Sequence, residues 1–176
     1  YNPRRAKELL RLFLEFSPDI CFHLEIHPAL LSEELKKELR QLPAGLLHLE
    51  AGIQSLREPV LEKSRRIGKL SDALEGLKFL CSLSNMETHA DLIAGLPLYR
   101  LDEIFEDIYT LAGYRAGEIQ LESLKLLPGT EMRNRADELG IRYSPLPPYE
   151  VLQTGEISVG ELQTARRLSR LLDAFY

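Results

Sequence analysis

Residues 20–27, Ile20-Cys21-Phe22-His23-Leu24-Glu25-Ile26-His27, alternate apolar with polar side chains. A period of two is the repeat of an extended strand, whose successive side chains point to opposite faces. Three later stretches, residues 46–53, 86–93 and about 118–126, read the same way. Working outward from them, the segments between are helical. Asn2-Pro3 caps a helix carrying Ala6, Leu9, Leu10, Phe13 and Phe16, stopped by Pro18 and Asp19. Ser32 caps a second helix with Leu35, Leu39 and Leu42 on one side, and Ser71 opens another bearing Leu74, Leu77 and Leu80. Residues 57–66 are helical or turn-like, and Leu101, Ile104, Phe105, Ile108 and Leu111 recur at helical spacing. Thr130 caps a short helix ending at Gly140. The last helix begins with the capping box Ser158-x-x-Glu161 and is expected to bury Val159, Leu162, Leu168, Leu172 and Phe175.

Strands separated by amphipathic helices imply a parallel sheet. The expected fold is therefore α/β, about four strand–helix units of a partial (βα) TIM-type barrel. No linker splits the chain. We expect residues 1–140 to form the barrel portion and residues 141–176 a carboxyl-terminal extension, with a proline-rich loop and a helix covering the barrel.

The strands are unusual for a parallel sheet, which ordinarily shows near-continuous Val/Ile/Leu runs. Here one face of each carries ionisable or amide groups: His23, Glu25 and His27; His48, Glu50 and Gln54; Glu87, His89 and Asp91; Glu118, Gln120 and Glu122. The opposite faces are apolar and match the stripes of the helices. Burying several carboxylates and imidazoles is costly unless they are paired or wet. The polar faces thus suggest a lined binding cavity; the competing reading is a sheet face open to water.

Composition narrows the function classes. The 176 residues hold 27 acidic and 22 basic side chains, a net charge of −5, which argues against a sequence-independent grip on nucleic acid. No apolar run approaches the ~20 residues of a spanning helix, and from the opening residues no signal peptide is expected. Cys21 and Cys81 are expected to be buried free thiols in a reducing cytoplasm. The chain begins with Tyr1 instead of methionine, and a piece of a longer protein is expected.

Gly52-Ile53-Gln54-Ser55, Arg66, and Asp91-Leu92-Ile93-Ala94-Gly95-Leu96-Pro97 together resemble the later part of the radical S-adenosylmethionine (SAM) core, its third through sixth strands. Residues 121–130 and 147–152 look most like the cobalamin-domain-linked, Fe–S oxidoreductase members of that family. Similar strand signatures occur in oxygen-independent coproporphyrinogen III oxidase. The resemblance implies that Glu25 meets the methionine part of SAM and that Gln54 and Asp91 hydrogen-bond the ribose hydroxyls. It further implies that Arg66, with Arg65 the competing assignment, pairs with the SAM carboxylate, and that Ile93 lies against the adenine.

The family's Cys-x-x-x-Cys-x-x-Cys loop, which holds a [4Fe–4S] cluster, is absent from this sequence. The resemblance therefore implies a fragment of an enzyme, inactive alone. Its parent would generate a 5′-deoxyadenosyl radical for methyl transfer, oxidation or ring formation on a small-molecule substrate, with cobalamin as a further cofactor. Two other classes compete. One is a cofactor-independent α/β enzyme using the His/Glu-lined lumen. The other is a non-catalytic docking domain whose exposed barrel edges pair, giving a dimer.

Other constellations stay open. His23-x-Glu25-x-His27 has the residue types of a metal site, but same-face neighbours on one strand lie about 6–7 Å apart, too far to share an ion unaided. His48 and His89 read equally as proton-transfer groups or as hydrogen-bonded lumen residues. Glu50, Glu87 and Glu122 have the chemistry of an acid–base cluster with no partner geometry legible.

Overall fold

The computed structural model describes residues 2–16 and 20–176; the helix stop expected at Pro18 and Asp19 lies outside them. Four parallel strands alternate with helices, as expected. They are β1 (Phe22–Ile26), β2 (Leu47–Gln54), β3 (Glu87–Ala94) and β4 (Glu118–Ser123), side by side in the order β1-β2-β3-β4. In the first pair Phe22 lies opposite Leu47, His23 opposite His48, and Glu25 opposite Glu50. The helices are α1 (Pro3–Phe13), α2 (Glu33–Gln41), α3 (Glu58–Lys63), α4 (Leu70–Cys81), α5 (Leu101–Ala112), α6 (Glu131–Asn134) and α7 (Val159–Phe175). A small antiparallel pair, β5 (Arg142–Tyr143) and β6 (Val151–Gln153), follows α6.

Two compact units emerge. The first takes residues 1–53, 68–90 and 114–118, and the second residues 54–67, 91–113 and 119–176. In the first, Leu39, Leu47, Leu49, Leu77 and Leu80 are sealed from solvent; burying each is worth about 1.5–3 kcal/mol. Asn2 caps α1 through its side chain, which accepts from the Arg5 amide, and Ser32 likewise caps α2. The helix α4 runs against a single 3-10 turn, Pro28–Leu30, and Gly76 allows the approach: a Cβ there would collide with the Pro28 carbonyl oxygen. Phe13 stacks on Phe22, ring centroids 4.0 Å apart.

The core of the second unit is Leu92, Tyr99, Ile104, Leu111, Ile119 and Leu126. The chain after β4 leaves the sheet at Leu124, whose amide donates to the Ala94 carbonyl, and Val151 donates to the Leu124 carbonyl in turn. Gly95 (φ +94°) makes the turn beyond β3 in a conformation that side chains disfavour. The expected capping box is formed: Ser158 accepts from the Glu161 amide while the Glu161 carboxylate accepts from Ser158.

Several expectations are corrected. Val159 and Phe175 of α7 are exposed, because the inward stripe runs through Leu162, Ala165 and Leu172. Regular helix after Thr130 ends at Asn134, and turns carry the chain to Gly140 (φ +64°). The helix α4 starts at Leu70, one residue before Ser71, which was expected to open it. Cys21 precedes β1 and is exposed, and Cys81 is half-buried at the last turn of α4, so neither is a sealed core thiol.

Candidate functional site

The polar strand faces behave differently in the two units. In the first, alternation holds on β1, with His23 and Glu25 exposed while Phe22, Leu24 and Ile26 are half-buried. His27 lies just past the strand, at the start of the 3-10 turn. On β3 Thr88 and Ala90 face inward, His89 is half-buried and Glu87 is exposed. Three imidazoles form a row across adjacent strands. His23 stacks on His48 at 4.5 Å, and His48 meets His89 edge to face at 4.0 Å. Glu87 lies 3.4 Å from His48 Nδ1 and Glu118 lies 3.0 Å from His89 Nε2.

Burial, and then the proximity of His48, hold the His89 imidazole below its ordinary pKa, against the pull of Glu118, Glu50 and Glu87. Among the described residues no group of three or more His, Cys, Asp or Glu could hold a metal ion. The residues present therefore do not fit an iron–sulfur cluster, and Cys21 and Cys81 lie 60 positions apart.

Four of the five residues assigned to SAM, Gln54, Arg66, Asp91 and Ile93, belong to the second unit, where each is half-buried. Glu25 belongs to the first unit and is exposed. Gln54 ends β2 with φ +73°, a left-handed conformation that costs a non-glycine residue about 1–3 kcal/mol and persists only where neighbours enforce it. Its side-chain Oε1 is buried with no hydrogen-bond partner among the described residues. A buried acceptor so left costs about 1–3 kcal/mol, and such groups call for an explanation. Arg66 follows α3, its amide held by the Leu61 carbonyl at 2.8 Å, and burial pushes its guanidinium below the usual arginine range. Arg65, the competing assignment, is exposed and ion-paired to Glu131.

The sequence reading missed one feature. Asp107 of α5 is 1% exposed. Its Oδ2 accepts from the Tyr99 hydroxyl (2.6 Å), the Leu56 amide (2.8 Å) and Ser55 Oγ (3.4 Å), and its Oδ1 accepts from Arg57 Nε (2.9 Å). Burial first, and then the adjacent Asp107 charge, push the Tyr99 hydroxyl far above its ordinary pKa, so it is a fixed donor. A signal was available: Asp107 falls on the stripe set by Ile104 and Leu111, where an apolar residue belongs.

Comparison with known proteins supports the fold. A family model described as "Protein of unknown function (DUF4080)" matches residues 137–176. The heme chaperone HemW of Bacillus subtilis (strain 168) is 27% identical over 148 residues, covering 84% of this chain and 38% of that protein. The radical SAM methyltransferase TsrM of Kitasatospora setae, solved with a tryptophan substrate and a SAM analogue, superposes with a TM-score of 0.63 at 16% identity, over 82% of this chain and 30% of that one. Coproporphyrinogen III oxidase (HemN) of Escherichia coli, a radical SAM enzyme, gives a TM-score of 0.59 at 16% identity, over 81% of this chain and 38% of that one. The chain thus spans well under half the length of these relatives. Among the described residues no helix is long and apolar enough to cross a membrane. Its four parallel strands and their helices have the fold of the radical SAM core, as the strand-end motifs anticipated.

Proposed function

We propose that the second unit of this chain binds the nucleoside and carboxylate of SAM and contributes that site to a larger radical SAM enzyme. The observation that carries the reading is the buried Gln54 Oε1, an acceptor with no partner among the described residues, at the carboxyl end of a strand. Ligands of parallel α/β barrels gather at that end. A ribose hydroxyl supplies the donor that Gln54 lacks, and Asp91 on β3 offers a carboxylate to the same sugar. Arg66 presents a forked, permanently charged donor to a carboxylate. Ile93, on the same face of β3 as Asp91, gives an apolar surface for a purine.

SAM, when bound, supplies the radical-forming or methyl-donating chemistry; these residues bind it, orient it and exclude water. Hydrogen abstraction leading to methyl transfer, oxidation or ring formation belongs to the whole protein, with the cluster, and with cobalamin where it is used, held by other parts of it. The proposal extends to a small-molecule substrate and a reducing cytoplasmic setting, in keeping with two free thiols.

The test is a titration of SAM into the isotope-labelled chain, read by NMR at the amides of Gln54, Arg66, Asp91 and Ile93. Those amides are expected to shift together, and Gln54→Ala and Arg66→Ala to weaken binding about tenfold each, a loss of about 1.4 kcal/mol. No response at millimolar SAM rejects the reading.

A further inference from the structure

The segment between the two proposed SAM contacts, Gln54 and Arg66, is fixed at its start from α5. Ser55 and Tyr99 are fully buried. One carboxylate, Asp107, takes hydrogen bonds from the side chain of Ser55, the amide of Leu56, the guanidinium of Arg57 and the hydroxyl of Tyr99. Ser55 Oγ accepts from the Arg57 amide at 3.1 Å, closing the turn on itself. Arg57 reaches further along α5, donating to the Glu103 carbonyl at 3.4 Å and to Glu106 at 2.7 Å. The three residues tied down are the ones directly after Gln54, whose backbone sits at φ +73°. Left-handed backbone at a glutamine relaxes unless the next residues are held. Arg57 is also the residue from which α3 starts, and α3 leads to Arg66.

We propose that Asp107, with Tyr99, is the positioning residue of this site: it holds residues 55–57 so that Gln54 keeps its left-handed backbone and its side-chain oxygen stays aimed for a ligand hydroxyl. Asp107 itself touches no ligand. A purely structural aspartate would stabilise α5 without affecting the affinity of the folded chain; a positioning one sets the affinity. The inference rests on the SAM reading given above.

Four variants of the chain separate the possibilities, each titrated with SAM and each followed by amide exchange at Leu56. Asp107→Asn replaces one acceptor oxygen by a donor that Arg57 repels. It is expected to weaken SAM at least fivefold and to speed Leu56 exchange at least tenfold. Tyr99→Phe, which removes a single hydroxyl, is expected to weaken SAM two- to fivefold, and it decides the matter if Asp107→Asn does not fold. Leu111→Ala destabilises the same helix away from the carboxylate and is expected to bind SAM within twofold of the parent chain. Gln54→Ala reports on the site itself. If Gln54→Ala loses affinity while folded Asp107→Asn, or Tyr99→Phe in its place, binds within twofold, the positioning role is overturned and the SAM reading stands. If the parent chain does not respond to SAM, or Gln54→Ala binds unchanged, both fall.

Discussion

His48 and His89 meet edge to face on neighbouring strands, their ring centroids 4.0 Å apart, so His48 opposes the protonation of His89. Glu118 lies 3.0 Å from His89, yet burial and His48 together outweigh it and keep the His89 proton weakly held.

Stability should therefore depend on His89 with a definite sign. Its folded-state pKa lies below the ordinary value of 6.5, so the unfolded chain binds the proton more tightly. The contribution is complete above about pH 6.5 and declines as pH falls through the window below it. Urea melts between pH 8 and pH 5 should show a decline that His89→Gln flattens, and parallel pH profiles for the two chains would count against the assignment.

Gly76 should not tolerate a methyl group. Alanine raises helix propensity by up to about 1 kcal/mol, but the new Cβ collides with the Pro28 carbonyl oxygen, a backbone atom. Overpacking of that kind costs about 1–3 kcal/mol and should prevail. Chemical denaturation of Gly76→Ala measures the balance, and a stabilised variant would show that the 3-10 turn yields freely.

Asn85 donates its Nδ2 to the carbonyls of Leu39 (3.0 Å) and Leu42 (2.8 Å), satisfying the end of α2. Removing it with Asn85→Ala should cost about 1–3 kcal/mol, because the Leu42 carbonyl loses this donor and the Leu39 carbonyl keeps only the long bond from the Leu42 amide. Asn85→Asp should be at least as damaging, since a carboxylate would face those oxygens. Thermal melts of both variants at neutral pH provide the check.

Ser158→Ala should destabilise the chain by about 1 kcal/mol through loss of the α7 cap. Hydrogen exchange should quicken first at Glu161, the amide that Ser158 accepts from. Protection unchanged there would mean that packing of Leu162 and Ala165 alone holds the helix start.

Much of this architecture was legible because it is written in local chemistry. The alternation at residues 22–26 is visible in any order of reading, and Ser32, Thr130 and Ser158 cap helices through bonds spanning three residues. Val159 and Phe175 were misplaced because a helical period says that a stripe exists but leaves its edges to whatever lies opposite. Cys21 was misplaced because its apolar character outweighed its place in the alternation, where it shares the parity of the exposed His23 and Glu25. The His23–His48–His89 row needed the register, since three residues scattered along the chain touch only once His23 lies opposite His48.

Sequence alone determined the alternation of strands and helices, the caps and turns, and which residue types stand at the strand ends, because each depends on bonds and steric limits among near neighbours. Tertiary structure alone decided which charges are sheltered and by what. Asp107 gathers Ser55, Leu56 and Arg57 from about 50 positions away, and such a meeting exists only after the chain has closed that loop.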